Sequence, residues 1–554
     1  MSKATTRLFL AFWICAISFA AIQAWNSRFE MAPDGIQYLD NADAYLRGDW
    51  HNAANTQWSP MYPWLLAIAL ATLKPTPYWQ FPVLHLVNFV IFLGALAAFQ
   101  FFLSTLLKRT RGLAWTVAAI ACSAFLYAMV DFTNVVNPTP DLTMAIFVFL
   151  AAAFLVRIAV DKPSIPAFVL LGLTLGFGYI AKAPFFVFSF VIFAIVVVLL
   201  HGQAGAWGYT AATVAAFALI AGPYIAFLSY NKGRLTYGDS GKYNVAWMVN
   251  RVPYYHWQGG NDGSGTPLHP TRQLSTDPPV YEYATPIIGT YPPWYDPIYW
   301  NQGVKVRYRP LDFVQAAVRN SRIYFYLFHR RQTPLICGFS ILCILLPDWR
   351  FKGVSRAYLA ILAFAIFPFL MYCLVHTDGR FLGAFFVLLW TALFGIVIER
   401  QRESFMRPVA AVVGTVAVLM AVEAAIVLAP TKQIEGPQQS LAASQSAHPQ
   451  WDIADALARM GIQPGARAAI VGVDLPYFWA RLAQVRIVAE VRLQTGDFDS
   501  AEREKVSAEW DRARAVLATT PAQFVISPAI PGIVDQPGWT RAGNSEAFIY
   551  ELGR

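Results

Sequence analysis

The sequence predicts an α-helical polytopic membrane protein with about eleven transmembrane helices and a small extracytoplasmic α/β domain at its C-terminal end. Three observations carry this. Charged residues are 14% of the 554 and hydrophobic residues 56%, against roughly 25% charged in an ordinary soluble chain. Apolar runs of about 17 to 25 residues recur, the length a helix needs to cross hydrocarbon, where no water can satisfy open backbone groups. Beyond about residue 430 the pattern turns to short helix-like and strand-like segments of mixed polarity.

The runs lie at residues 8–25, 79–107, 113–130, 142–160, 165–180, 184–200, 209–230, 334–346, 358–375, 381–398 and 408–428. Lys3 and Arg7 precede the first in the manner of a signal peptide, but no small-x-small cleavage site follows, so it reads as a retained anchor. The apolar segment 60–73 is too short to span and reads as re-entrant or interfacial. An N-terminus inside places Lys3, Arg7, Lys108, Arg109, Arg111, Arg157, Lys162, Arg350, Lys352, Arg356, Arg400, Arg402 and Arg407 in the cytoplasm. The short outer connections then hold only Lys182 and Arg380, as the positive-inside rule requires. The net charge of +9 is thereby accounted for by loop bias, and no nucleic-acid partner is implied. The expected location is a multi-pass cell membrane of the bacterial inner-membrane type, with the C-terminal domain outside.

Residues 1–429 form the expected transmembrane domain, including outer loops 26–59 and 231–333. The second loop is rich in aromatic residues, among them Tyr254, Tyr255, Trp257, Tyr291, Trp294, Tyr295, Tyr299 and Trp300. A disordered linker would be poor in them, so this loop is expected to fold against the membrane face, with an amphipathic helix over 311–328 in the interface. Residues 430–449 read as a polar linker and 450–554 as the α/β domain. Within it, helices are expected at 451–460, 477–484 and 500–512, and strands at 468–473, 486–491, 515–518, 524–527 and 547–551. No phosphate loop or nucleophile–base pair occurs there, so acceptor or partner recognition is the expected role. All five cysteines lie in apolar runs without ligand spacing, which excludes a disulfide scaffold or zinc module.

The first outer loop carries the chemistry. A helix beginning at Asp34 would put Asp34, Tyr38, Asn41 and Tyr45 on one face, with the acid at its N-terminus beside the membrane. From spacing alone, Asp34 reads first as a plain helix cap. Asp34-x-x-x-Tyr38, followed by Ala42, Gly48-Asp49-Trp50 and Trp58-Ser59-Pro60-Met61-Tyr62-Pro63, resembles the first extracytoplasmic loop of GT-C superfamily glycosyltransferases. That superfamily includes protein O-mannosyltransferases and lipid A aminoarabinose transferases. Pro140-Asp141, Gly176-x-Gly178-Tyr179-x-Ala181-Lys182-Ala183-Pro184 and His376-Thr377-Asp378-Gly379-Arg380-Phe381 resemble its later motifs in the same order. The resemblance covers residues 1–400.

The resemblance implies transfer of a sugar from a polyprenyl-phosphate donor to an extracytoplasmic glycan, lipid or protein by inverting displacement. Asp34 is then the general base and Asp141 a supporting or metal-orienting acid. Lys182 and Arg380 bind the donor phosphate, and Tyr38, Tyr62, His376 and Asp378 contact substrate. A divalent cation is left open. Some members carry an acid-Lys-Pro-Pro pattern before the re-entrant helix, whereas Gln57-Trp58-Ser59-Pro60 stands here, without acid or Lys. His51, His256 and Asp262 are the remaining loop donors. The alternatives are a lipid or glycolipid transporter or flippase, disfavoured by the absence of a duplicated half, and a lipid-linked oligosaccharide ligase or polymerase.

Overall fold

The computed structural model describes residues 3–109, 114–260, 263–283, 285–345, 353–399, 405–428, 448–472, 477–493 and 499–553. Arg111, Asp262, Arg350, Lys352, Arg400, Arg402 and residues 430–447 of the expected linker lie outside them.

Among the described residues, eight helices are long and apolar enough to cross a membrane. They are Thr5–Asn26, Pro77–Leu107, Ala114–Phe132, Asp141–Val160, Ala206–Lys232, Arg356–Leu374, Gly379–Ile398 and Met406–Leu428. The shorter apolar helices Ile165–Ala181, Phe185–Leu199 and Thr333–Leu345 occupy the three other expected runs. The chain is a multi-pass membrane protein. Ring packing between spans builds much of the core, as where Phe99 and Phe125 stack at 4.4 Å. Met61–Leu73, the segment too short to span, is a helix of 13 residues that ends at Lys74 in a left-handed conformation.

On the side expected to lie outside, helix Pro33–Leu46 starts with Pro at its first turn, where a missing N–H costs nothing. It leaves Ala32 extended and Asp34 in the first turn. Gly35 is needed there, since a Cβ would stand 2.8 Å from the Pro138 ring. The amphipathic segment of the second outer loop is helix Pro310–Phe325, whose Leu311, Val314, Val318 and Phe325 are exposed on an apolar stripe. Such a stripe suits a helix lying in the membrane interface.

The C-terminal region holds one seven-stranded sheet, and two of its strands come from the outer loop. They are β1 (Arg272–Thr276) and β2 (Pro279–Glu282). The others are β3 (Arg467–Val471), β4 (Arg486–Val491), β5 (Phe524–Pro528), β6 (Trp539–Arg541) and β7 (Ala547–Glu551), in the order β1-β2-β4-β3-β5-β7-β6. β3 pairs parallel with β4 and β5, and the loop hairpin adds antiparallel through β2, Tyr281 facing Glu490. One face packs Trp479 and helix Pro449–Arg459 with Tyr283, Tyr291 and Trp300 of the outer loop. The other packs helix Ser500–Leu517 through Val506, Trp510, Ala513 and Leu517.

That last helix corrects an expectation. Residues 515–518 read as a strand, but the buried positions 506, 510, 513 and 517 keep helical spacing to the end. The helix starts with a capping box between Asp499 and Glu502. The sequence reading also lacked β6 and the loop hairpin. Trp451 fixes the domain to the membrane part, its indole donating to the Tyr78 carbonyl at 3.3 Å among the rings of Phe29, Tyr78 and Phe81.

Candidate active site at the outer ends of the spans

Four short connections, far apart in sequence, bring Asp34, Asp141, Lys182 and Arg380 together. Asp141 opens its span directly after Pro140 and is 2% exposed. One carboxylate oxygen contacts the Lys182 ammonium, and the other accepts the Thr139 hydroxyl at 2.7 Å. A buried carboxylate at a membrane boundary requires such pairing.

Lys182 sits extended between helices Ile165–Ala181 and Phe185–Leu199. The hairpin closes tightly because Gly178 has no side chain, a Cβ there standing 2.5 Å from the Phe185 ring. Burial lowers the Lys182 ammonium from its ordinary value, opposed by Asp141. The ammonium also stands 4.3 Å over the Phe381 ring.

Arg380 lies in the first turn of helix Gly379–Ile398, capped by Asp378. Asp378 accepts the Arg380 backbone N–H at 3.1 Å and its Nε at 3.2 Å. Arg380 Nη1 reaches Asp34 Oδ2 at 3.3 Å. The Arg380 and Asp34 side chains are 27% and 21% exposed, so this pair stays open to exchange. Tyr38, one turn along from Asp34, is buried, and its hydroxyl is raised by burial first and then by Asp34 and Asp141.

The other expected residues take different places. Tyr62 is fully buried, packs edge-on against Tyr38 at 5.0 Å and commits its hydroxyl to Asn88 Oδ1 at 2.7 Å. His376 stands edge-on to Phe381 at 6.0 Å, and burial lowers it from its ordinary value. His256 Nε2 bonds Glu490 at 3.0 Å. Among the described residues, no group of three or more His, Cys, Asp or Glu could hold a metal ion.

Two polar groupings absent from the sequence reading lie where the outer loops meet the C-terminal domain. Arg481 Nη1 binds Asp40 at 2.9 Å and Asp43 at 2.5 Å on the helix that carries Asp34, while its Nε donates to Gln80. Asp40 also accepts the backbone N–H and hydroxyl of Thr290. In the second grouping, Glu490 Oε2 accepts Tyr283 at 2.6 Å, Tyr291 at 2.8 Å and His256 at 3.0 Å. Burial pushes the Glu490 carboxyl up, but these bonds together hold it below its ordinary value. The legible signal for Glu490 was a lone acid within the apolar strand Ile487–Val491; Arg481 had none. A cavity of about 200 Å³ lies at the Arg481 junction, further along the same helix, and does not include Asp34.

No protein-family profile and no curated protein matches the chain. Solved structures do. The crystal structure of ArnT from Cupriavidus metallidurans bound to undecaprenyl phosphate superposes with a TM-score of 0.55 at 13% identity, covering 99% of this chain and 98% of that one. The apo oligosaccharyltransferase of Archaeoglobus fulgidus gives a TM-score of 0.50 at 13% identity, over 95% of this chain and 69% of that one. At this identity the likeness concerns the fold alone: this chain shares the fold of these two solved structures along most of its length.

Proposed function

We propose that the protein is a polyprenyl-phosphate-sugar-dependent glycosyltransferase that acts on an extracytoplasmic acceptor with inversion. The observation that carries this is the convergence of Asp34, Asp141, Lys182 and Arg380 in a fold shared with a structure holding undecaprenyl phosphate. Every one of these residues lies in a connection that the positive-inside alternation puts outside, whereas Arg109 pairs with Asp161 across two connections assigned to the cytoplasm. The orientation proposed is therefore N-terminus inside and C-terminal domain outside, in a bacterial inner membrane. Residues 1–429 hold the chemistry, and 450–554 complete its outer wall.

In the proposed step the acceptor hydroxyl attacks the anomeric carbon of the donor. The new C–O bond forms as the bond to the phosphate oxygen breaks, and the acceptor proton passes to Asp34. The lipid phosphate departs with the bonding electrons and needs no proton, so one carboxylate base suffices. Arg380 has N–H groups beyond those bound to Asp34 and Asp378, and Lys182 has two beyond Asp141. These face the growing charge of the phosphate. Donor phosphate competing for Arg380 would release Asp34 from its ion pair and leave it free to act.

The test is consumption of polyprenyl-phosphate sugars by purified protein in lipid nanodiscs. The expected result is release of polyprenyl phosphate, lost in Asp34→Asn. Wild-type protein that neither binds nor consumes any such donor would overturn the assignment.

A further inference from the structure

Beside Asp34 the site has an aromatic wall built from three chain segments. Tyr255 is its hub, with ring centroids 5.6 Å from Trp294 and 6.0 Å from Tyr291. Tyr291 in turn lies 4.8 Å from Tyr477, which belongs to the C-terminal domain. Burial first, and then Asp34, raises the Tyr255 hydroxyl, while burial, Tyr255 and Asp34 together raise that of Tyr477. Geometry ties the wall to the helix of Asp34 as well: the Trp58 ring lies 5.5 Å from Trp294 and 5.3 Å from Tyr38, one turn along from the acid.

Polar atoms in this wall are buried without hydrogen-bond partners. Gln37, one turn after Asp34 and fully buried, faces the Tyr477 hydroxyl and lowers it against the effect of burial, yet no hydrogen bond of ordinary length joins them and, among the described residues, neither side chain has another partner. The Trp294 indole nitrogen is likewise buried without a partner. Native interiors tolerate few such atoms, and here the first outer loop, the second and the C-terminal domain each contribute one residue beside the same acid.

The chemistry of the orphans narrows what would satisfy them. An indole N–H only donates, whereas an amide and a phenol both donate and accept. The partner must therefore carry several groups able to do both, and also present an apolar face to the rings of Tyr255 and Trp294. An alkyl chain lacks the first property. A peptide backbone lacks the second. A sugar ring has both, with hydroxyls around its edge and C–H groups on its faces.

We propose that Gln37, Tyr255, Trp294 and Tyr477 form the acceptor subsite, and that the acceptor enters it as a sugar ring whose free hydroxyl points to Asp34. The proposal rests on the glycosyltransferase reading for its catalytic consequence, but the binding it asserts can be measured without turnover. The full-length protein, purified in a polyether detergent free of sugar, would be titrated calorimetrically with a panel of octyl hexopyranosides, the corresponding free hexoses, octanol and a serine-containing peptide. Binding of at least one glycoside is expected, with octanol and peptide binding weaker or absent. Binding of the matching free hexose would identify the ring as the recognised part, whereas binding confined to the octyl form would require the lipid tail as well.

Tyr477→Phe and Gln37→Leu each remove polar atoms while keeping the packing. Each is expected to weaken glycoside binding about three- to tenfold, the worth of one hydrogen bond, with donor affinity unchanged. Wild type that consumes donor yet binds no glycoside, or glycoside binding indifferent to both substitutions, would overturn the subsite. Glycoside binding without donor consumption would instead overturn the transferase reading and leave the subsite standing.

Discussion

The protein holds two sets of buried or half-buried charges on the side that carries the C-terminal domain, and they differ in how fully their bonding capacity is used. At the span ends, Arg380 and Asp34 are 27% and 21% exposed, and the cations keep unused N–H groups. At the junction with the C-terminal domain, the Arg481 and Asp40 side chains are 8% and 5% exposed, those of His256 and Glu490 2% and 3%. There one carboxylate oxygen of Glu490 takes three donors, and Arg481 clamps two acids. A half-open pair can exchange partners with a ligand; a dry, saturated one holds chain segments in register. Variants of the half-open Arg380–Asp34 pair should change chemistry at constant stability, and variants in the second set should do the reverse.

The largest effect is expected at Asp34. Asp34→Asn keeps the shape of the side chain and removes the base, so turnover should fall about 10²- to 10⁴-fold. Donor affinity and thermal midpoint should stay near those of wild type. A variant that keeps near-normal turnover would reduce Asp34 to the ion-pair partner of Arg380 and move attention to Asp141.

Next comes Arg481→Ala, which strands two carboxylates at the junction. Removing one member of a buried ion pair costs about 3–5 kcal/mol, to be read as a lowered thermal midpoint. The double variant Asp40→Asn with Arg481→Gln removes charge from both sides and should recover much of that loss. If the double variant is no more stable than Arg481→Ala, the clamp is not electrostatic.

Arg380→Ala is expected to act on donor binding. Losing charge-assisted bonds to a phosphate costs roughly 1.5–3 kcal/mol, a loss of about 10- to 150-fold in affinity. Equal effects on donor affinity and on melting would place Arg380 in the bracing class and break the comparison.

The members of the candidate site were legible in the sequence and the bracing set was not, for a physical reason. Asp34, Asp141, Lys182 and Arg380 each sit at a boundary between an apolar run and a polar connection, where a charge is conspicuous, and three have Pro within two residues. The order of those boundaries fixes which side of the membrane they share. The bracing set depends on pairing between β2 and β4, some 200 residues apart, and nothing local in Pro279–Glu282 specifies that partner. Residues 515–518 failed for a related reason. Their apolar content suits a strand or the last turn of a helix, and only packing of Leu517 beneath Trp510 decides.

The smallest effect expected is a pH dependence at Glu490, and it sharpens the comparison because it concerns stability alone. The folded protein holds this carboxyl below its ordinary value of 4.5. A group depressed in the folded state contributes its full stability above the unfolded value, and loses it as pH falls through the folded value. The junction should therefore weaken below about pH 4.5 and be unaffected near neutrality. His256 faces the same oxygen and is one of the groups that hold the acid ionised. Glu490→Gln cannot titrate. Subtracting its melting curve from that of wild type between pH 3 and 7 isolates this one group from every other acid, and the difference should shrink towards the acid end. A difference that is flat over that range would mean Glu490 has the same proton affinity folded and unfolded, and the three donors around Oε2 would then be filling space without stabilising its charge.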